Sequence, residues 1–273
     1  MVYNQKLVRD PKGGMARLLE IIRALRDPDH GCPWDIEQDF KSIAAYTIEE
    51  AYEVDDAIQK KNWSALKSEL GDLLFQTVYH SQIASEQNLF KFDDIANSIG
   101  DKMLARHPHV FTDERYIKSA DKQVADWENI KAHERESADS RGVLDEVALA
   151  LPALMRAIKL QKRAARVGFD WPDINLVLKK VIEEAQEMVE AKESLDYEKT
   201  VEEFGDLLFV LVNFGRHLKI DAEEALRNAN AKFTRRFNYI ESELAKDNRT
   251  PNMASLSEME LLWNKAKFLE QKT

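Results

Sequence analysis

The feature that most constrains this chain is an internal repeat at a constant spacing. Glu49-Glu50-Ala51-Tyr52-Glu53 recurs as Glu183-Glu184-Ala185-Gln186-Glu187. Leu70-Gly71-Asp72-Leu73-Leu74-Phe75 recurs as Phe204-Gly205-Asp206-Leu207-Leu208-Phe209. The same 134 residues separate Glu50 from Glu184, Glu53 from Glu187, Glu69 from Glu203 and Asp72 from Asp206, and Asp56 and Glu190 keep that spacing. A gap-free offset across two segments and their connection means that the chain holds two copies of one folding unit. Downstream the match needs small insertions: Lys102 and Arg106 stand four apart, as do Lys232 and Arg236, and Trp127 and Lys131 mirror Trp263 and Lys267.

The unit is helical. Leu226, Ala229, Phe233, Phe237, Ile240 and Leu244 recur at intervals of three or four, one apolar stripe on a long helix. Similar stripes run through residues 15–25, 43–58, 66–83, 154–166 and 177–195. No segment keeps strand alternation, and 9 Gly and 7 Pro in 273 residues leave room for long elements only. The punctuation is local: Pro28, Gly31 and Pro33 mark one loop, Pro108 another, residues 168–172 a third, and Pro251 closes the long helix. The expectation is an all-α protein of two tandem helical-bundle modules, residues 14–132 and 147–273, joined by a charged linker at 133–146.

Composition narrows the partners. A formal charge of −10 argues against nucleic acid or an anionic membrane as a ligand, though a metal or a local basic cluster still admits phosphate. The apolar stretch 206–215 is too short to span a bilayer, and the N-terminal residues carry no apolar signal segment. One cysteine, Cys32, rules out an internal disulfide framework and fits a reducing compartment, so a cytoplasmic location is expected.

The chemistry lies in the acidic positions. Glu184 and Glu187 share a helix face at i, i+3, flanked by Glu183, and Glu203 and Asp206 repeat the spacing on the next helix. Packed antiparallel, the two helices bring four carboxylates together, with Leu207-Leu208-Phe209 expected to anchor the second helix in the core. Converging carboxylates repel, and a hard divalent cation compensates them. A single EExxE is most often a solvated helix face. Here the two copies have diverged elsewhere while every acidic position is kept, which favours a functional set. Glu50, Glu53, Glu69 and Asp72 form the matching candidate metal site in the first module. A di-iron bundle uses Glu-x-x-His motifs, and none of the six histidines follows a Glu by three. All-oxygen ligation favours Mg²⁺ or Mn²⁺ over iron or zinc.

Candidate substrate contacts are basic. Lys232 and Arg236 are i, i+4 on the long helix beside Phe233 and Phe237. They either snorkel to solvent or hold the distal phosphates of a nucleotide. Lys180, one turn before Glu184, adds a third positive group. Trp263 either stacks on a base or caps the bundle, Lys267 one turn later reaches for a phosphate, and Trp34 and Trp171 sit in Pro-containing loops as lids or loop anchors.

EExxE followed after fifteen residues by ExxD, in tandem, resembles the all-α nucleoside triphosphate pyrophosphatase superfamily. With Gly31-Cys32-Pro33-Trp34-Asp35, Arg106-His107-Pro108-His109-Val110-Phe111 and Val167-Gly168-Phe169-Asp170-Trp171, the chain is similar to the bacterial MazG type from residue 15 onward. The resemblance implies Mg²⁺-dependent cleavage of nucleoside triphosphates between the α- and β-phosphates. The products are a monophosphate and pyrophosphate, and base specificity is broad. It further implies a homodimer and a role in cleaning or adjusting nucleotide pools. Carried over, Glu184, Glu187, Glu203 and Asp206 match metal ligands, and Glu183 would position or activate water. Lys180, Glu183, Lys232, Arg236, Trp263 and Lys267 match nucleotide contacts, with Lys232 and Arg236 supporting the leaving group.

The copies are expected to be unequal. Tyr46 stands where Lys180 stands in the second module, and His107-Pro108 breaks the helix that continues past Arg236. The second module is therefore expected to carry most of the turnover. Two other readings remain: a pyrophosphatase for one deoxynucleotide or modified nucleotide, and a non-catalytic acidic interaction protein with structural or regulatory metal sites.

Overall fold

The computed structural model describes residues 3–111, 119, 122–123, 126–127, 130, 142–145 and 147–271. Among them every regular element is helical, so the all-α expectation holds. The chain divides into two compact units, Met1–Lys131 and Ala132–Thr273. The charged linker expected at 133–146 lies outside the described residues except for 142–145, as does Lys131.

The first unit runs α1 (Gln5–Val8), α2 (Gly14–Leu25), α3 (Pro33–Glu37), α4 (Phe40–Gln59), α5 (Trp63–Glu86), α6 (Phe92–Arg106) and α7 (Pro108–Phe111). Its centre is the α4–α5 hairpin, with α2 laid on α5 and α1 on α2. Asp39 caps α4 in a reciprocal pair with Ser42, at 2.7 and 2.9 Å. Ile22, Ile43, Val78, Tyr79 and Ile83 form the buried core, walled by Met15, Leu18, Phe40 and Phe75 among others. Arg26 ties the region before α4 to α5: its guanidinium donates to Glu86 at 2.7 Å and to the Asp35 and Gln38 carbonyls. The Tyr79 hydroxyl donates to the Asp35 carbonyl at 3.0 Å. Pro108 ends α6 as its missing N–H requires. Trp127 donates to the Arg106 carbonyl at 3.0 Å and packs edge-on against His107.

The second unit runs α8 (Ala153–Arg166), α9 (Ile174–Glu193), α10 (Tyr197–His217), α11 (Ala222–Ala245), a 3-10 turn at Pro251–Met253 and α12 (Leu256–Glu270). The α9–α10 hairpin is its centre; α8 packs on α10, and α12 packs on α11. Its turn repeats the first unit's. Leu195 and Lys61, at φ 59° and 52°, take the left-handed conformation after the helix. Asp196 and Asn62 then cap the next helix. Gly168 at φ 87° closes α8, with its own N–H on the Ala165 carbonyl and the Phe169 N–H on the Ala164 carbonyl, both at 3.1 Å.

The buried apolar residues of this unit are mostly small, Val147, Ala157, Val177, Ala191, Val210, Val212 and Ala266, with Ile240 and Leu244 closing the α11 stripe. One expectation fails. Leu208 and Phe209 do not anchor α10 in a core; both are exposed, as are Ile182, Val201, Phe204 and Leu211 on the same hairpin. Leu226 and Phe233, also placed in the α11 stripe, are exposed too. Apolar spacing marks a face that leaves water, and a single subunit need not be what covers it. No helix among the described residues is long and apolar enough to cross a membrane.

Candidate active site

The hairpin geometry brings the acidic residues level. Glu187 and Glu203 stand eight residues either side of Leu195, and Glu53 and Glu69 eight either side of Lys61. Equal rise along two antiparallel helices therefore sets each pair side by side. In the second unit, carboxylate oxygens of Glu184, Glu187 and Glu203 lie within 4.8 Å of one another; in the first, Glu50, Glu53 and Glu69 do the same. Asp206 and Asp72 stand one turn on and add their charge. Burial, then the neighbouring carboxylates, push the Glu203 carboxyl above its usual range, with Lys199 opposing. Glu50 is raised by burial and by Asp72, Glu53, Glu49 and Glu69, and Glu69 by burial, Glu53 and Asp72. The charges thus work against each other, which is the condition a bound cation relieves.

Lys180 partly relieves it already. Its ammonium lies 2.7 Å from Glu183 and 2.7 Å from Glu184, whose side chain is buried at 8 % exposure. Hydrogen bonds to Glu183 and Glu184 raise the lysine's pKa, so it stays charged. In the first unit Tyr46 takes this place and packs edge-on against Trp34, 6.2 Å between ring centres.

Beside the carboxylates of the second unit opens a cavity of about 330 Å³. Lys180, Glu184 and Asp206 line its carboxylate side; Leu144, then Leu160, Gln161 and Ala164 of α8, residues 169–171, and Phe209, Val210, Asn213 and Arg216 of α10 line the rest. Arg216 holds the loop over it. Its guanidinium pairs with Asp170 and donates through Nε to the Asn213 Oδ1 at 2.8 Å, and His217 reaches Asp170 at 3.2 Å. Burial raises the Asp170 carboxyl, but the Arg216 hydrogen bond and charge, with His217, outweigh it and hold the group below its ordinary range. In the first unit a cavity of about 290 Å³ instead lies toward the hairpin turn, lined by Glu53, Asp56, Lys60, Asn62 and Glu69 among others.

The remaining candidates gather elsewhere in the second unit. Arg236 pairs with Glu270 at 2.7 Å and lies over the Trp263 ring at 5.3 Å, and Phe233 packs against Trp263 at 5.3 Å. Lys232 is exposed on α11, its charge helping Arg236 and Arg235 hold the Glu270 carboxyl low, and Lys267 is exposed on α12. The cavity lining includes none of Lys232, Arg236, Trp263 and Lys267. Sequence reasoning missed Gln161, Asn213 and Arg216, and met Asp170 only within the Val167–Trp171 segment, with no role given to it. The available signal was polar: Asn213 interrupts the run Val210-Leu211-Val212, and Gln161 sits on the inward face of α8.

The model of the MazG nucleotide pyrophosphohydrolase domain matches residues 38–111 and 173–240, covering both carboxylate hairpins. The chain is 48 % identical over 256 residues to the nucleoside triphosphate pyrophosphohydrolase of Escherichia coli K12, spanning 93 % of this chain and 97 % of that protein. It is 41 % identical over 250 residues to the nucleoside triphosphate pyrophosphohydrolase/pyrophosphatase MazG of Thermotoga maritima, spanning 92 % and 94 %. With the family model on both hairpins and such relatives matched along nearly their whole length, the chain belongs to the MazG family of nucleotide pyrophosphohydrolases, as a member that carries the carboxylate hairpin twice.

Proposed function

We propose that this chain hydrolyses nucleoside triphosphates between the α- and β-phosphates, releasing a monophosphate and pyrophosphate, with Mg²⁺ as its cation and Mn²⁺ as a substitute. The observation that carries the reading is the triad of Glu184, Glu187 and Glu203 oxygens within 4.8 Å beside a cavity large enough for a ligand. The donor set fits a hard cation, being all oxygen, mutually repelling and open on one side. Glu184, Glu187, Glu203 and Asp206 would hold it. When bound, the cation supplies Lewis acidity and neutralises phosphate charge.

The chain's own groups do the rest. Glu183, exposed and one residue from the buried ligand Glu184, takes the proton of the attacking water. Lys180 fixes Glu183 and Glu184 through its two ion pairs and presents positive charge at the cavity rim. Lys232, Arg236 and Lys267 are the phosphate-binding cluster that supports the pyrophosphate. Trp263, already engaged by Arg236 and Phe233, positions Arg236. The modules 14–132 and 147–273 act unequally. The first holds a carboxylate triad without a lysine at the Lys180 position, and serves weak metal binding or assembly.

Assembly as a homodimer is supported by the apolar outer face of the α9–α10 hairpin, where Ile182, Val201, Phe204 and Leu211 are exposed. Unpaired Cys32 accords with a cytoplasmic location. Nucleotide-pool cleaning with broad base tolerance is the role this activity serves. The deciding experiment is product analysis with ATP, GTP and deoxynucleotides in the presence of Mg²⁺. Pyrophosphate and monophosphate are expected. Free phosphate refutes the reaction, and no product from any triphosphate leaves the acidic interaction protein as the better reading.

A further inference from the structure

We propose that Glu270 is an internal competitor for the substrate's phosphates: its carboxylate holds the Arg236 guanidinium until a phosphate displaces it. The proposal rests on the reading of Lys232, Arg236 and Lys267 as the phosphate-binding cluster. The Arg236 Nε donates to the Glu270 Oε2 at 2.8 Å, and Nη2 lies 2.7 Å from the same oxygen. The Glu270 Oε1 faces the Arg235 Nε at 3.7 Å. One carboxylate thus takes the two-pronged edge with which an arginine also grips phosphate, and one edge cannot serve both.

The surroundings favour competition over anchoring. Arg236 has a second support, since its guanidinium lies over the Trp263 ring at 5.3 Å, and Phe233 packs against that ring at 5.3 Å. Removing the carboxylate therefore leaves the cation in place. Glu270 is the last residue of α12, its side chain 34 % exposed against 14 % for Arg236. It can turn into water without giving up a buried contact. The charges are also unmatched. Lys232 stands one turn before Arg236, and Lys267 one turn before Glu270. With Arg235, four cations gather around a single carboxylate. The Arg236 hydrogen bond, then the charges of Arg236, Arg235 and Lys232, outweigh burial and hold the Glu270 carboxyl below its ordinary range, so it stays ionised. A phosphate chain brings several negative charges where Glu270 brings one, and replaces it with a gain in pairing.

The first copy carries the same residue types at the same spacing. Lys102 and Arg106 stand four apart, and Glu134 follows Trp127 by seven residues, as Glu270 follows Trp263. Binding is then an exchange. The Arg236 N–H groups pass from the carboxylate to a phosphate oxygen, and the carboxylate passes to water. When pyrophosphate leaves, Glu270 returns to Arg236 and blocks its rebinding.

Glu270→Gln removes the charge and keeps the shape of the side chain. Arg236→Met keeps the stem over Trp263 and removes the fork. With the full chain in Mg²⁺, calorimetric titration gives the Kd of pyrophosphate and steady-state kinetics the KM for ATP, with melting temperatures to show that each variant is folded. Glu270→Gln is expected to lower both constants by about fivefold. In the Arg236→Met background the same substitution is expected to change the Kd by less than about twofold. A Kd or KM that is unchanged or higher in Glu270→Gln overturns the proposal. So does equal tightening without Arg236, which would mark a general effect of charge. If Arg236→Met alone leaves pyrophosphate affinity unchanged, the phosphate cluster is wrong and the competitor falls with it. If Arg236→Met weakens pyrophosphate but Glu270→Gln does not tighten it, the cluster stands and the competitor alone is wrong.

Discussion

Replacing Glu184 by Gln separates the metal from the fold. In the metal-free protein two effects oppose each other. The variant loses the 2.7 Å pair with Lys180, which keeps its second partner Glu183, and it relieves repulsion within the 4.8 Å triad. The net change is expected within about 1 kcal/mol of wild type. A divalent cation breaks the balance. At one hundred times its Kd it stabilises the folded wild type by about 2.7 kcal/mol. Losing the buried ligand of the triad, with about a hundredfold weaker binding, leaves about 0.4 kcal/mol at the same concentration. The difference of about 2.3 kcal/mol corresponds to about 5–9 °C in a unit of this size. Scanning calorimetry in chelator and in excess Mg²⁺ measures it. Wild type and variant are expected to melt together without the cation and apart with it. If Mg²⁺ raises both by the same amount, Glu184 is not a ligand and the carboxylate triad is a charged surface.

Other outcomes follow from the same geometry. Glu184→Gln is expected to lower pyrophosphate release by about a hundredfold or more, while Glu50→Gln lowers it by less than about threefold; equal losses refute the unequal modules. Burial holds the His80 imidazole below its ordinary pKa of 6.5, so the unfolded chain takes up the proton first. The first module therefore loses stability as pH falls through 6.5. His80→Phe, the residue found at the repeat position Phe214, is expected to flatten that dependence in urea titrations at pH 8 and pH 5.5; an unchanged slope refutes it. Gly168→Ala, at φ 87°, is expected to cost about 1 kcal/mol and to raise KM by loosening the 168–171 loop, as denaturant melts and kinetics would record.

The fold class and the acidic sets were legible because both rest on periodicity. A helix reports itself every three or four residues, and a repeat reports itself twice. Glu187 and Glu203 meet because each lies eight residues from Leu195, a fact of spacing alone. The cavity was not legible. Gln161 and Asn213 lie on helices separated by the whole of α9, and only the packing of α8 on α10 brings them to one space. The pairing of Arg236 with Glu270 was hidden for the same reason, since nothing in the sequence sets the register of α12 on α11. Leu208 and Phe209 were misread because apolar patterning does not distinguish a subunit's interior from an apolar face left exposed.

The repeat also explains why the two modules differ in the way they do. Duplication leaves two identical carboxylate hairpins, and what surrounds each is then free to change. In the first module the flanking helices contribute Ile22 and Tyr79, which pack with Ile43, Val78 and Ile83 into a closed core. In the second, the buried apolar residues of α8, α9 and α10 are alanines and valines, and the space beside α10 stays open between two buried amides. Large buried side chains stabilise a domain, whereas an open cavity forgoes that packing. One copy thus fills the space beside its hairpin with large side chains, and the other leaves a cavity open next to the same carboxylates.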